Sequence, residues 1–158
     1  MVWWNLKIAS TQFSLETNSF EIYLSGCNGA PKCQGCHNAE LWDFDVGAEY
    51  NEKMVTRIKN KLFRFSKLIN KIFILGGEPL DQNIEELESL LNALSETKKE
   101  IFLFTRYNLN KIPENIKQYC DYIKCGKYIK NLETQDNIQY SIKLATSNQK
   151  IYKKGLDY

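Results

Sequence analysis

The sequence predicts an α/β fold in which a mainly parallel sheet forms an open part of a (βα) barrel. Three observations support this: short apolar segments that end at glycine or polar residues, amphipathic segments between them, and a length of 158 residues. Strands that alternate with helices form right-handed βαβ units and a parallel sheet. A complete eight-fold barrel typically needs about 250 residues, so this chain can supply only part of one. We expect residues 1–158 to form a single domain.

The individual elements are predicted from hydrophobic periodicity and from glycine and polar residues at their ends. The first strand, over 20–26 (FEIYLSG), precedes a loop over 27–45 that is rich in Gly, Asn and Cys. The pattern then predicts a helix with Met54, Ile58, Leu62, Phe65 and Ile69 on one face, followed by a strand over 71–75. A second helix is predicted to be capped by Asp81 and to carry Ile84, Leu87, Leu91 and Leu94 on one face. After it the pattern predicts a strand over 100–105, a short helix over 113–119, a strand over 121–125 and a terminal strand over 138–144.

Composition limits the class of protein. Hydrophobic residues make up 43% and charged residues 25%, which is typical of a globular domain, and the net charge of +2 does not indicate nucleic-acid binding. No apolar run is long enough to span a membrane. The first residues (MVWWNLKIAS) lack the features of a secretion signal, so we expect a cytoplasmic protein whose five cysteines stay reduced. Trp3 and Trp4 are expected to be packing residues.

Three cysteines lie close together in the predicted loop, with the spacing Cys27-x5-Cys33-x2-Cys36. Cysteine thiolates are the usual ligands of iron–sulfur clusters, and three of them would leave one iron of a four-iron cluster open. The same residues allow a zinc site completed by His37, or a redox CxxC pair. Cys120 and Cys125 fall at either end of a predicted strand, so we expect them to be core or edge thiols rather than ligands.

A second motif, Gly76-Gly77-Glu78-Pro79, ends the strand over 71–75. Glycines at a strand end allow the backbone to approach a ligand closely, and Glu78 could accept a hydrogen bond from an ammonium group. An ordinary strand-to-helix turn explains the same residues. Ligands of open parallel sheets bind beyond the carboxyl ends of the strands. Cys27 and Gly76 both follow strands, so we expect the two motifs to meet at one edge of the sheet.

Together the two motifs resemble the radical S-adenosylmethionine (SAM) superfamily, in which a C-x3-C-x2-C motif is followed by a GGEP-type turn. The stretch over 25–44 (SGCNGAPKCQGCHNAELWDF) more narrowly resembles the activating enzymes of glycyl-radical enzymes, especially the group that acts on anaerobic ribonucleotide reductase. The segments over 104–107 (FTRY) and 147–150 (SNQK) resemble the Tyr-Thr-Gly-Tyr and Ser-Asn-Gln-Arg segments of that group. Two departures are the longer first cysteine gap and Arg106 in place of glycine.

The resemblance implies a [4Fe–4S] cluster on Cys27, Cys33 and Cys36, with SAM as the second cofactor. It implies that Gly76, Gly77, Glu78 and Pro79 hold the SAM methionine and that Glu78 accepts a hydrogen bond from its amine. In an activase, a 5′-deoxyadenosyl radical then removes hydrogen from a glycine of the partner reductase. We expect Glu78 to serve SAM binding rather than folding. Arg106 is a candidate for binding the SAM carboxylate.

Other functions remain open at this point. One is a small-molecule radical SAM enzyme similar to the synthase of a deazaguanine precursor, another is an activase of a different glycyl-radical enzyme, and a third is a non-enzymatic iron–sulfur or zinc protein. The reductant would be a flavodoxin or ferredoxin. Residues 53–71 contain seven Lys or Arg and no Asp or Glu, which could bind an acidic electron carrier but is more typical of a solvated helix face.

Overall fold

The computed structural model describes residues 5–158, so Trp3 and Trp4 lie outside the described residues. Within these residues the secondary structure runs in the order β1 (Lys7–Ser14), β2 (Ser19–Leu24), β3 (Ala48–Glu49), α1 (Glu52–Arg64), β4 (Lys71–Gly76), α2 (Ile84–Ser95), β5 (Glu100–Phe104), α3 (Glu114–Lys117), β6 (Tyr122–Cys125), β7 (Ile138–Gln139), β8 (Ile142–Lys143) and β9 (Lys150–Lys153). The mixture of strands and helices confirms the predicted α/β class.

Seven of the described strands form one sheet in the order β3-β1-β2-β4-β5-β6-β9. The four central strands, β2, β4, β5 and β6, are parallel, as the alternation of strands and helices predicts. The register places Phe20 opposite Ile72, and Ile72 opposite Ile101. Because these strands are parallel, their carboxyl ends lie along one edge of the sheet. The chain segments that follow Leu24, Gly76, Phe104 and Cys125 therefore meet there.

The edges of the sheet differ from the sequence prediction. Strand β1 was not predicted, and it pairs antiparallel with β2 through a turn in which Asn18 has a φ of 52°. The predicted terminal strand over 138–144 is wrong, because Tyr140 and Ser141 have φ values of 50° and 64° and form a turn between β7 and β8. The last strand of the large sheet is β9, which pairs antiparallel with β6. Strand β1 lies between β2 and the short edge strand β3. The pairing of β9 with β6 joins residues that are distant in sequence, which periodicity does not reveal.

Asparagine side chains begin the two long helices. Asn51 accepts a hydrogen bond from Met54 N (2.9 Å) at the start of α1, and Asn83 accepts from Glu85 N (3.1 Å) and Glu86 N (3.2 Å) at the start of α2. The prediction that Asp81 caps the second helix is therefore wrong; Asp81 ends a short 3₁₀ turn before it. Of the helices in the described part of the chain, none is long and apolar enough to cross a bilayer.

The two faces of the sheet are covered by different structures. All three helices pack on one face, where side chains of α2 such as Leu87 and Leu91 are fully buried against strand residues such as Ile22 and Ile74. The opposite face carries Phe73, Phe102 and Tyr122, and the chain after β6 covers it with Ile142 and Leu144. The rings of Phe102 and Tyr122 stack with centroids 4.3 Å apart. The C-terminal segment therefore replaces a helical layer on this face.

Candidate cofactor site

A cavity of about 290 Å³ lies at the edge of the sheet where the central parallel strands end. Residues from the loop after β2 and from the ends of β4, β5 and β6 line it, as does Gln149 from the C-terminal segment. The predicted site residues among them are Cys27, Cys33, Cys36, Gly76, Gly77, Glu78 and Arg106. The expectation that the two motifs meet at one edge is therefore confirmed.

Backbone hydrogen bonds join the two ends of the loop that carries the three cysteines. Gly26 N donates to Leu41 O (2.8 Å), and Cys27 N donates to Trp42 O (3.2 Å). Cys36 N donates to Cys33 O (3.2 Å), which brings these two cysteines into one turn. All three thiols are unpaired and partly exposed. They are available as ligands without unfolding of the loop.

The three cysteines provide the donor type of an iron–sulfur cluster. Among residues 5–158, no three His, Cys, Asp or Glu side chains converge as ligands of one metal ion do. Cys27, Cys33 and Cys36 nevertheless line the same cavity. In a four-iron cluster each cysteine binds its own iron, so the thiolates surround the cluster and do not converge on one atom. The donor type and the arrangement around one cavity therefore fit a [4Fe–4S] cluster.

Cys120 and Cys125 lie elsewhere. Both belong to the core between the sheet and the helices, and neither lines the cavity. Burial raises the pKa of the Cys120 thiol well above its usual value and that of Cys125 to about 11. Thiols with raised pKa values resist the deprotonation that metal binding needs. Their positions support the expectation that they are core residues.

The two glycines of the GGEP turn are needed for contact with protein backbone. Gly76 has a φ of 129°, and a Cβ there would lie 2.1 Å from Leu24 O. A Cβ on Gly77 would lie 2.3 Å from Gly26 O. Gly77 N donates to Leu24 O (2.9 Å) and Glu78 N to Gly26 O (2.7 Å). The expected close approach is therefore to the chain that leads into Cys27, although both glycines also line the cavity. Pro79 is buried and does not line the cavity.

Glu78 is 1% exposed and joins the ends of β4 and β5. Its Oε1 accepts from Thr105 Oγ1 (2.6 Å) and Leu80 N (3.1 Å), and its Oε2 accepts from Arg106 N (2.8 Å). Burial raises its pKa, although these hydrogen bonds act in the opposite direction. The expectation that Glu78 serves SAM binding rather than folding stays a prediction, and these contacts also join its carboxylate to the chain at the end of β5.

Asp81 and Arg106 form an ion pair beside the cysteine loop. Arg106 Nη2 lies 3.0 Å from Asp81 Oδ2, which also accepts from Asn28 N at 2.7 Å. Tyr107 donates its hydroxyl to Asp81 Oδ1 (2.5 Å), and the guanidinium lies 4.3 Å from the Tyr107 ring centroid. Burial lowers the pKa of Arg106, but Asp81 more than offsets this effect and raises it. The carboxylate thus connects the cysteine loop to the end of β5.

Lys124 is a cavity residue that the sequence did not identify. Its ammonium donates to Gly126 O (3.1 Å) and Thr105 O (3.4 Å). Burial lowers its pKa, while the carboxylate of Glu78 acts to raise it. A lysine in a strand otherwise made of apolar residues is a signal that could have been noticed. Thr105 carried no comparable signal, because threonine is common in strands.

Known proteins resemble this chain over most of its length. Residues 18–152 match the 4Fe-4S single cluster domain family. The chain is 28% identical over 114 residues to an anaerobic ribonucleoside-triphosphate reductase-activating protein of Haemophilus influenzae, covering 68% of this chain and 72% of that protein. A protein of the same description from Pasteurella multocida is 28% identical over 117 residues, with the same coverage. The resemblance inferred from the motifs is confirmed. The chain belongs to the 4Fe-4S single cluster domain family.

Proposed function

We propose that this protein is a radical SAM activase that generates a glycyl radical on an anaerobic ribonucleotide reductase. The observation that carries the proposal is the meeting of the three cysteines and the GGEP turn at one cavity. The two relatives are anaerobic ribonucleoside-triphosphate reductase-activating proteins, which supports the choice of partner. In this proposal residues 1–158 form one radical SAM domain, and the sheet is an open part of a (βα) barrel.

Cys27, Cys33 and Cys36 would hold the cluster, and Gly76, Gly77 and Glu78 would border the SAM, with Pro79 supporting the turn. When bound, the cluster and SAM supply one-electron cleavage of SAM, which yields methionine and a 5′-deoxyadenosyl radical. The protein's own part is to bind, orient and shield these groups. A flavodoxin or ferredoxin would supply the electron.

Glu78 is suited to accept a hydrogen bond from the SAM amine. Each carboxylate oxygen can accept two hydrogen bonds, and Oε2 accepts one from Arg106 N among the described residues. A cation placed beside a carboxylate favours its ionised form and offsets the cost of burial that raises the pKa of Glu78. Thr105 and Leu80 fix the other oxygen, so the carboxylate is oriented before a ligand arrives.

The packing of the sheet favours a protein substrate over a metabolite. The face of the sheet that lies away from the helices is covered by Ile142 and Leu144, which pack against Phe73, Phe102 and Tyr122. The cavity of about 290 Å³ lies at the lower limit of small-molecule sites, which are about 300–1,000 Å³. A cluster and SAM would fill that space. A further substrate would have to reach the cavity mouth from outside, as a glycine-bearing loop of a partner can.

The test is to mix the reduced, cluster-loaded protein and SAM with an anaerobic ribonucleotide reductase from the same source. We expect a glycine-centred EPR doublet on the reductase, reductase activity, and one 5′-deoxyadenosine formed for each radical. A matched sample of the Cys33→Ala protein should give none of these. Conversion of a purified metabolite with stoichiometric SAM cleavage, and no activated reductase, would replace the activase by a small-molecule enzyme. Activation of a different glycyl-radical enzyme alone would change only the partner.

A further inference from the structure

Arg106 has a buried donor atom with no hydrogen-bond partner. Within residues 5–158, two buried side-chain polar atoms lack a partner, Arg106 Nε and Gln82 Oε1. Native proteins rarely leave such atoms unpaired, and an unpaired buried donor often marks the position of an absent group. Arg106 lines the cavity, whereas Gln82 does not. The unpaired donor of Arg106 therefore belongs to the cofactor site.

Neighbouring groups hold the rest of the guanidinium in place. Arg106 Nη2 donates to Asp81 Oδ2 (3.0 Å) and Tyr107 Oη (2.9 Å), and the guanidinium lies over the Tyr107 ring. Asp81 is itself held by Asn28 N. A side chain fixed by these contacts cannot turn its Nε freely toward water. The Nε position is thus set by the same network that holds the cysteine loop.

The unpaired Nε and the sulfur of Cys27 both border Gly29. It is 3.6 Å from the point where a Cβ on Gly29 would stand, and Cys27 Sγ is 3.4 Å from the same point. Gly29 N also lies 3.4 Å from Cys27 Sγ and donates to it. The first cysteine therefore has one backbone donor, and the arginine donor borders the same glycine. Both are the kind of group that stabilises a thiolate.

We propose that Arg106 Nε donates a hydrogen bond to a sulfur of the cluster, either Cys27 Sγ or an adjacent sulfide, and thereby raises the reduction potential. This inference rests on the proposed ligation of the cluster by Cys27. Hydrogen bonds to the sulfurs are among the features that set the potential of such clusters. A donor stabilises the added negative charge of the reduced form more than the oxidised form. Arg106 thus makes the cluster easier to reduce.

The competing acceptor is the SAM carboxylate, for which Arg106 was a candidate on sequence grounds. The pairing of Nη2 with Asp81 argues against it, because a bidentate grip on another carboxylate needs that nitrogen. The two acceptors predict different results when SAM is left out. A sulfur acceptor affects the potential of the cluster alone, whereas a carboxylate acceptor affects only SAM affinity.

The experiment measures the midpoint potential of the reconstituted cluster, with and without SAM, by EPR-monitored titration. Iron and sulfide content are matched between samples. Arg106→Gln and Arg106→Lys both remove Nε, while Arg57→Gln is the control because Arg57 is exposed on α1. Without SAM, we expect the cluster of both Arg106 variants to be harder to reduce. Its equilibrium constant for reduction should fall about tenfold, which lowers the midpoint potential by about 59 mV for one electron. The control should match the unaltered protein.

A second measurement uses the unaltered protein and does not depend on the variants loading a cluster. The chain has three arginines, Arg57, Arg64 and Arg106, so ¹⁵N-arginine labelling introduces little background. We expect pulsed EPR of the reduced cluster without SAM to show a ¹⁵N coupling that Arg57→Gln retains. Absence of this coupling, or unchanged potentials with weakened SAM binding, would overturn the inference and leave the proposed function intact. Failure of the unaltered protein to bind a cluster would overturn both.

Discussion

Asp81 Oδ2 accepts a hydrogen bond from the backbone amide of Asn28, 2.7 Å away, although 53 residues separate the two in sequence. The bond ties the loop that begins at Cys27 to the turn that follows Gly77. The same carboxylate binds Arg106 and Tyr107 from the end of β5. One side chain, 4% exposed, therefore holds three segments that border the cavity in a fixed arrangement.

Asp81→Asn should loosen the cysteine loop. An asparagine keeps one acceptor but places an amide group against the donors Asn28 N, Arg106 or Tyr107. Because hydrogen bonds to charged groups are worth about 1.5–3 kcal/mol, we expect a loss of that order in the free energy of unfolding. The reconstituted cluster should also be lost faster to an iron chelator. Urea unfolding and the rate of bleaching measure the two effects.

The matched control for that variant is Asp43→Asn. Asp43 Oδ1 accepts from Asp45 N (2.9 Å) in the same loop, but this bond is exposed and local. We expect its loss to change stability by less than about 0.5 kcal/mol. Equal behaviour of the two variants would show that Asp81 does not hold the loop.

The cysteines should separate into two groups. Alanine at Cys27, Cys33 or Cys36 should abolish the [4Fe–4S] absorption and EPR signals after anaerobic reconstitution. Alanine at Cys120 or Cys125 should retain the full iron and sulfide content, because both thiols lie in the core away from the cavity. Loss of the cluster in either core variant, to the extent seen with Cys33→Ala, would contradict the assignment.

Glu78→Gln separates ligand binding from folding better than Glu78→Ala. Glutamine has a similar volume, and its carbonyl oxygen can still accept the hydrogen bonds from Thr105 and Leu80. Its NH₂ group replaces the oxygen that accepts from Arg106 N and can no longer accept a hydrogen bond there or from the ligand. We expect SAM to bind about tenfold or more weakly, as the loss of a charge-assisted hydrogen bond implies, with the cluster retained. Equilibrium binding of SAM to the loaded protein measures this. Unchanged affinity would remove Glu78 from the site.

Glu78 should also make the stability of the cofactor-free protein depend on pH. Burial raises the pKa of Glu78 in the folded protein above the usual value of 4.5. The folded state therefore holds this proton more tightly than the unfolded state, and the stabilisation that results is fully present below pH 4.5. That stability is lost as the pH rises through the folded pKa. Glu78→Gln cannot lose a proton, so its unfolding free energy should fall less over this range. Urea unfolding from pH 4.5 to 8 tests the difference, and parallel curves would refute it.

Leu144→Ala should destabilise the face of the sheet that lacks helices. Leu144 is 4% exposed and packs in the cluster that contains Phe102 and Tyr122. Removing a buried leucine side chain typically costs about 2–5 kcal/mol. Leu156→Ala is the control, since Leu156 is 74% exposed and should change stability by less than about 0.5 kcal/mol. Similar unfolding midpoints for the two variants would show that the C-terminal segment does not stabilise this face.

The sequence by itself determined the central strands, the long helices and the edge where the site lies. Residues such as Ile72, Ile74, Leu87 and Leu91 follow the periods of strand and helix because each element buries one or both faces. The cysteine spacing and the GGEP turn likewise need only local sequence to be recognised. Their shared edge follows from the parallel order of the strands, which the alternation of elements already implies.

Only the tertiary structure decided the antiparallel strands of the sheet, the covering of the second face and the contacts around the cavity. Strands β1 and β9 depend on antiparallel partners, and turns at Tyr140 and Ser141 redirect the C-terminal segment. The roles of Asp81 and Arg106 depend on an ion pair between residues 25 positions apart. Periodicity records which face of an element is apolar but not which distant polar groups meet. Such pairs exist only once the folded core has brought the strand ends together.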